Sequence, residues 1–122
     1  MRLYLAGPMR GYPEFNHPAF HEGARDLRAR GHEVFSPAEH DNENGFDFTG
    51  TGGSPEDLDA HGFDLRKALA ADLDWICRNA DGLVVLPGYQ KSLGATAEIA
   101  TAKALGLPVW ELAAFLVSVG VS

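Results

Sequence analysis

Asp81-Gly-Leu-Val-Val-Leu-Pro-Gly-Tyr-Gln-Lys-Ser-Leu-Gly-Ala-Thr-Ala-Glu98 is the stretch that decides how this chain is read. Leu83 to Leu86 form an apolar run with no polar side, the pattern of a strand buried on both faces of a parallel sheet. Pro87-Gly88 stops that strand. Ser92-Leu93-Gly94 then opens a helix from Leu93 to Leu105 that is small and apolar apart from Glu98 and Lys103, and Gly106 ends it. Ligands of open parallel sheets bind beyond the carboxyl ends of the strands, which is where Glu98 falls.

Outward from this unit the same grammar repeats. Leu3 to Ala6 is a short apolar strand closed by Gly7-Pro8. Pro13 to Arg30 reads as a helix, because Phe15, Ala19, Phe20, Ala24 and Leu27 recur at steps mostly of three or four, with Gly31 as its C-cap. Glu33 to Phe35 is a second strand, stopped by Ser36-Pro37. Residues 38–62 carry turn chemistry with little periodicity and read as one long loop, partly packed through Phe46 and Phe48. Phe63 to Asn79 is a helix with Leu65, Leu69, Leu73 and Ile76 on one stripe, and Pro108 to Leu112 is a fourth strand before a short apolar tail that packs on the body or on a neighbouring subunit. The alternation predicts a single α/β domain over 1–122. It is Rossmann-like (flavodoxin-like), with a parallel sheet of four to five strands in the order 2-1-3-4, helices on both faces and right-handed crossovers.

Composition bounds the function. Hydrophobic residues make up 45% and charged residues 22%, ordinary for a soluble domain of 122 residues. The net charge of −7, with lysines and arginines scattered, argues against a nucleic-acid polymer as partner. No run approaches the roughly 20 apolar residues of a membrane span. The first residues enter a strand directly, so no signal peptide and a cytoplasmic location are expected. The lone Cys77 has no internal partner and reads as a small buried hydrophobe. The five histidines include His17 and His21 on one helix face, weak evidence for a metal, and neither a metal nor a redox cofactor is implied.

Glu98 is either a nucleophilic or basic carboxylate aimed into the crevice or a surface acid favoured by its helix dipole. Asp72 sits on or beside an apolar stripe, where an acid needs a partner or a proton. It is a site acid, or it caps a loop, or it pairs with Arg66 or Arg78. Two carboxylates at one crevice suggest glycosidic cleavage, one attacking the anomeric carbon and the other protonating the leaving group. The loop Gly7-Pro8-Met9-Arg10-Gly11 is no dinucleotide fingerprint, yet a glycine turn with an arginine suits one phosphate. Gly88, in the facing loop Pro87 to Ser92, joins it. Ser92 offers a hydroxyl and Gly94 an approachable backbone at a helix start, with plain capping as the other reading of Ser92. Tyr4 places a phenol within the first strand, where core packing is the alternative.

Together these pieces resemble the nucleoside 2-deoxyribosyltransferase-like superfamily: Tyr4-Leu-Ala-Gly-Pro, Asp72-Leu-Asp-Trp-Ile, Ala80-Asp-Gly-Leu-Val-Val-Leu, Ser92-Leu-Gly-Ala-Thr-Ala-Glu98 and Ala104-Leu-Gly-Leu-Pro-Val. The resemblance covers most of the chain outside 38–62. It implies that Glu98 attacks C1′ of a nucleoside or nucleotide, that Asp72 handles the leaving base and that Tyr4 orients Glu98. The transferases usually carry an aspartate where Ser92 stands. The Ser-Leu-Gly run instead looks like the branch that hydrolyses 2′-deoxynucleoside 5′-monophosphates, in which the serine and an Arg10-Gly11-like turn contact the phosphate. The chain is also similar to an uncharacterised phage and bacterial family with the same Gly-Pro-Met-Arg-Gly opening and long middle loop. Phe15 and either Phe46 or Phe48 are then candidates for stacking on the base, and a homodimer or higher assembly is expected. The rival expectations are a non-catalytic nucleotide-sensing module and an enzyme that cleaves the nicotinamide glycosidic bond of NAD.

Overall fold

The computed structural model describes residues 1–121, with side chains through Val117. Four parallel strands form one sheet: β1 (Arg2–Ala6), β2 (Glu33–Phe35), β3 (Gly82–Val85) and β4 (Val109–Glu111), in the order β2-β1-β3-β4. The strand order is the one expected, and the count is four. Alternate side chains sort to opposite faces, as the strand period requires. Leu3 and Leu5 of β1, with Val84 of β3, pack against α1 (His17–Ala29) and against Phe115 of α6 (Leu112–Val121). Tyr4 and Ala6, with Leu83 and Val85, pack on the other face against α4 (Leu65–Asn79) and α5 (Leu93–Ala104). Within the apolar tail, Phe115 is buried, and Leu112 and Leu116 rest on the same core. Ser122 lies outside the described residues.

Three expectations are corrected. The helix read from Pro13 begins at His17: Pro13–Asn16 is a single 3-10 turn in which Glu14, Phe15 and Asn16 hold φ of 54°, 53° and 63°. Bonds from outside the turn fix this left-handed backbone. Glu14 donates its N–H to the Thr51 carbonyl at 2.9 Å, and the Asn16 amide donates to the Pro8 carbonyl at 2.9 Å.

Residues 38–62 are not one loop. They include most of α2 (Pro37–Glu43) and all of α3 (Pro55–Ala60). Ser54 and Asp57 form a reciprocal capping box that starts α3. A bidentate pair between Arg28 and Glu39 (2.5 and 2.6 Å) ties α2 to α1.

Cys77 is exposed rather than buried. It follows Asp72 and Ile76 by steps of five and one, which turns it to the solvent side of α4 beside Asp74 and Arg78. No helix among the described residues is long and apolar enough to cross a membrane.

Candidate functional site

At the carboxyl ends of β1 and β3 lies a cavity of about 640 Å³. Four elements deliver its chemistry: the 7–15 segment after β1, α2, α4 and the start of α5. Glu98 and Asp72 both line it, 5% and 8% exposed, so the two acids face one crevice. Asp72 pairs with neither Arg66 nor Arg78, and the latter donates instead to Asp74 at 2.7 Å. Glu98 reaches the cavity from the second turn of α5, on the side shared with Ala95 and Ala102. Asp72 reaches it from the same side of α4 as Ile76, beside Leu69 and Ala68.

Tyr4 lies just behind this wall. It is fully buried, its ring stacks on Phe35 at 5.5 Å, and its hydroxyl donates a hydrogen bond to Glu98. Burial and the charges of Glu98 and Asp72 push the phenol well above its ordinary value, so it keeps its proton and stays a donor at neutral pH.

Burial also raises both acids. Glu98 is pushed up to about 8, mainly by desolvation, with the Tyr4 hydrogen bond pulling the other way and Asp72 adding to the rise. Asp72 is pushed up to about 7, by desolvation and by the charge of Asp41. The two acids titrate as a pair. The Tyr4 hydroxyl favours charge on both acids and the charge of Asp41 raises Asp72, but burial outweighs these hydrogen bonds and leaves Glu98 the higher of the two.

The remaining candidates divide. Pro8, Met9, Arg10 and Gly11 line the cavity, and Arg10 is exposed. Gly7 also lines it, but a Cβ there would meet Leu86 at 2.8 Å, so its lack of a side chain serves packing inside the protein. Gly94 is different: only the Ser92 hydroxyl, at 3.9 Å, stands where its Cβ would be. Ser92 caps α5 by accepting the Ala95 N–H at 3.1 Å and lines the cavity as well, so both readings of it hold together. The N–H groups of Leu93 and Gly94, ahead of the capped Ala95, precede the helix's own acceptors and leave an anion-attracting end. Gly88 is not on the cavity lining. It holds a left-handed turn (φ 87°) against Tyr12 and Pro8, which brings the two loops together.

Phe15 and Phe48 form an aromatic wall, their rings 4.6 Å apart, with Phe63 6.0 Å from Phe48. Phe46 stacks behind Phe48 and faces a second, shallower hollow.

Two charged lining residues stand outside the candidates read from sequence. Lys91 adds a second cation near Ser92. Asp41, 6% exposed, comes from α2 and lies 3.3 Å from Nε2 of His17. Its run Asp41-Asn-Glu-Asn-Gly reads as turn chemistry. The usable signal was upstream: Ser36-Pro37-Ala-Glu39 has the form of a helix start, which would have put Asp41 on a helix. Among the described residues no group of three or more His, Cys, Asp or Glu side chains is arranged to hold a metal.

A search of curated proteins finds no match to this chain. The family model described as Domain of unknown function (DUF4406) matches residues 1–111, and the chain belongs to that family.

Proposed function

We propose that this protein cleaves the N-glycosidic bond of a nucleoside or deoxynucleoside 5′-monophosphate through a covalent glycosyl–Glu98 intermediate, as the resemblance to the nucleoside 2-deoxyribosyltransferase-like superfamily implies. The observation that carries this reading is the Tyr4 hydroxyl bonded to Glu98 on the same cavity as Asp72. With the pair's proton on Asp72, a Glu98 oxygen attacks C1′ as the bond from C1′ to the base nitrogen breaks. The electron pair leaves with the base, and the Asp72 carboxyl supplies its proton. Water, or a second base, then attacks C1′, returns a proton to Asp72 and frees the Glu98 carboxylate. Arg10, Lys91, Ser92 and the start of α5 serve the 5′-phosphate.

The test incubates the protein with deoxynucleoside and ribonucleoside monophosphates and follows free base by chromatography. Base release by the wild type, lost by at least about a thousandfold in Glu98→Ala, is the expected result. Binding without release, unchanged in Glu98→Ala, sinks the reading. Adding a second free base separates the two fates of the intermediate, since only base exchange yields a new nucleotide.

A homodimer or larger assembly goes with this proposal. Leu65 and Leu93, 48% and 77% exposed at the cavity rim, support it by offering apolar surface to a second copy. Sedimentation of the intact chain is expected to give at least a dimer, and a monomer at high concentration overturns that part.

A further inference from the structure

Asp41 is a carboxylate in an awkward place. It is 6% exposed and lines the cavity, and no protein N–H or O–H among the described residues donates to its side chain with hydrogen-bond geometry. Its one neighbour of possible opposite charge is His17, at 3.3 Å, whose Nε2 itself has no hydrogen-bond partner. The Asp41 oxygens keep contact with the cavity and are free to accept a ligand's N–H groups.

Its surroundings say which part of a ligand that is. His17 packs edge-on to Phe48 at 5.6 Å, and Phe48 forms the aromatic wall with Phe15. Asp41 therefore stands toward the aromatic wall of the cavity, where a planar base would lie. The Arg28–Glu39 pair fixes α2 on α1, which also carries His17, so the carboxylate is held in place before any ligand arrives.

We propose that Asp41, beside His17, reads the edge of the base and selects one that presents two adjacent N–H donors, as guanine does. This inference rests on the nucleotide reading above. The two oxygens of a carboxylate match a ring N–H beside an exocyclic amino group. Adenine and cytosine place an unprotonated ring nitrogen next to their amino group, which turns an acceptor toward the carboxylate. Thymine and uracil flank one N–H with two carbonyls. Each of these meets Asp41 with repulsion, and discrimination by an unpaired buried group is steep.

Calorimetric titration of the Glu98→Ala protein with dGMP, dIMP and dAMP tests this without turnover. Inosine keeps the ring N–H and lacks only the amino group. Binding of dGMP roughly ten- to a hundredfold tighter than dIMP or dAMP is expected. Adding Asp41→Asn is expected to bring dGMP and dIMP within about threefold of each other. Equal binding of dGMP and dIMP by the Glu98→Ala protein, or a preference that survives Asp41→Asn, overturns the inference. The first comparison needs no change at Asp41, so it stands whatever that substitution does to folding. If no nucleoside monophosphate binds and none loses its base, the proposed function falls as well. Base release with no guanine preference removes this inference alone.

Discussion

At Glu98 two influences oppose each other: burial favours the protonated carboxyl, and the Tyr4 hydroxyl favours the charged one. The net rise has a consequence for stability. An acid whose value is raised on folding binds more protons folded than unfolded, so its contribution is favourable at low pH and is lost as pH rises through the folded value. Glu98 and Asp72, raised to about 8 and about 7, spread that loss from the ordinary carboxylate range up to those values. Thermal melts of the wild type against Glu98→Gln should therefore diverge between about pH 5 and about pH 8, with the variant gaining relative stability as pH rises. A constant difference across that window would mean that Glu98 is not desolvated. Sequence spacing exposed Asp72 as an acid beside an apolar stripe, and that signal was sound because an α-helix repeats faithfully. No spacing rule could show that Asp41 adds its charge, because the two acids meet only through the tertiary fold.

Elements with a strong period were legible and those held by long-range bonds were not. β1, β3, α4 and α5 follow from apolar patterning and stop signals, within a residue or two. The left-handed turn at Glu14 to Asn16 depends on a partner strand of loop at 51–53, which no local rule anticipates. That loop is pinned by two backbone bonds, Gly11 N–H to the Gly53 carbonyl at 2.8 Å and Glu14 N–H to the Thr51 carbonyl at 2.9 Å. Gly53 is required there: φ is 79°, and a Cβ would sit 1.9 Å from the Tyr12 carbonyl oxygen. Gly53→Ala is expected to cost about 2 kcal/mol or more and to speed hydrogen exchange at the Gly11 and Glu14 amides. Unchanged exchange at those two amides would show that the loop is not held through this contact.

For the molecule as a whole, the sheet divides the labour. The acid pair and Tyr4 belong to the α4–α5 face, whereas α6 closes the opposite face through Phe115, which packs on Trp110 at 5.0 Å and His32 at 5.4 Å. Phe115→Ala should cost about 3 kcal/mol by leaving a cavity, while the proposed base release, per folded molecule, stays unchanged. Denaturant titration and the chromatographic assay on one sample check both halves, and a large fall in rate at full folding would refute the separation. The fold class was readable because parallel strands are apolar throughout and each helix is punctuated. The cavity's aromatic end was not, because it is built from segments that touch only once the sheet is closed.

The bond from Tyr4 to Glu98 joins residues 94 positions apart. The strand that carries Tyr4 is central, and its neighbours begin only at Glu33 and Gly82. As the chain leaves the ribosome, β1 therefore waits for most of the protein to be made before its second edge is covered. Folding should be late and all-or-none, with no early fragment able to bind or react. A ligand of this cavity would then recognise only the finished molecule, and its protection against heat would count completed chains.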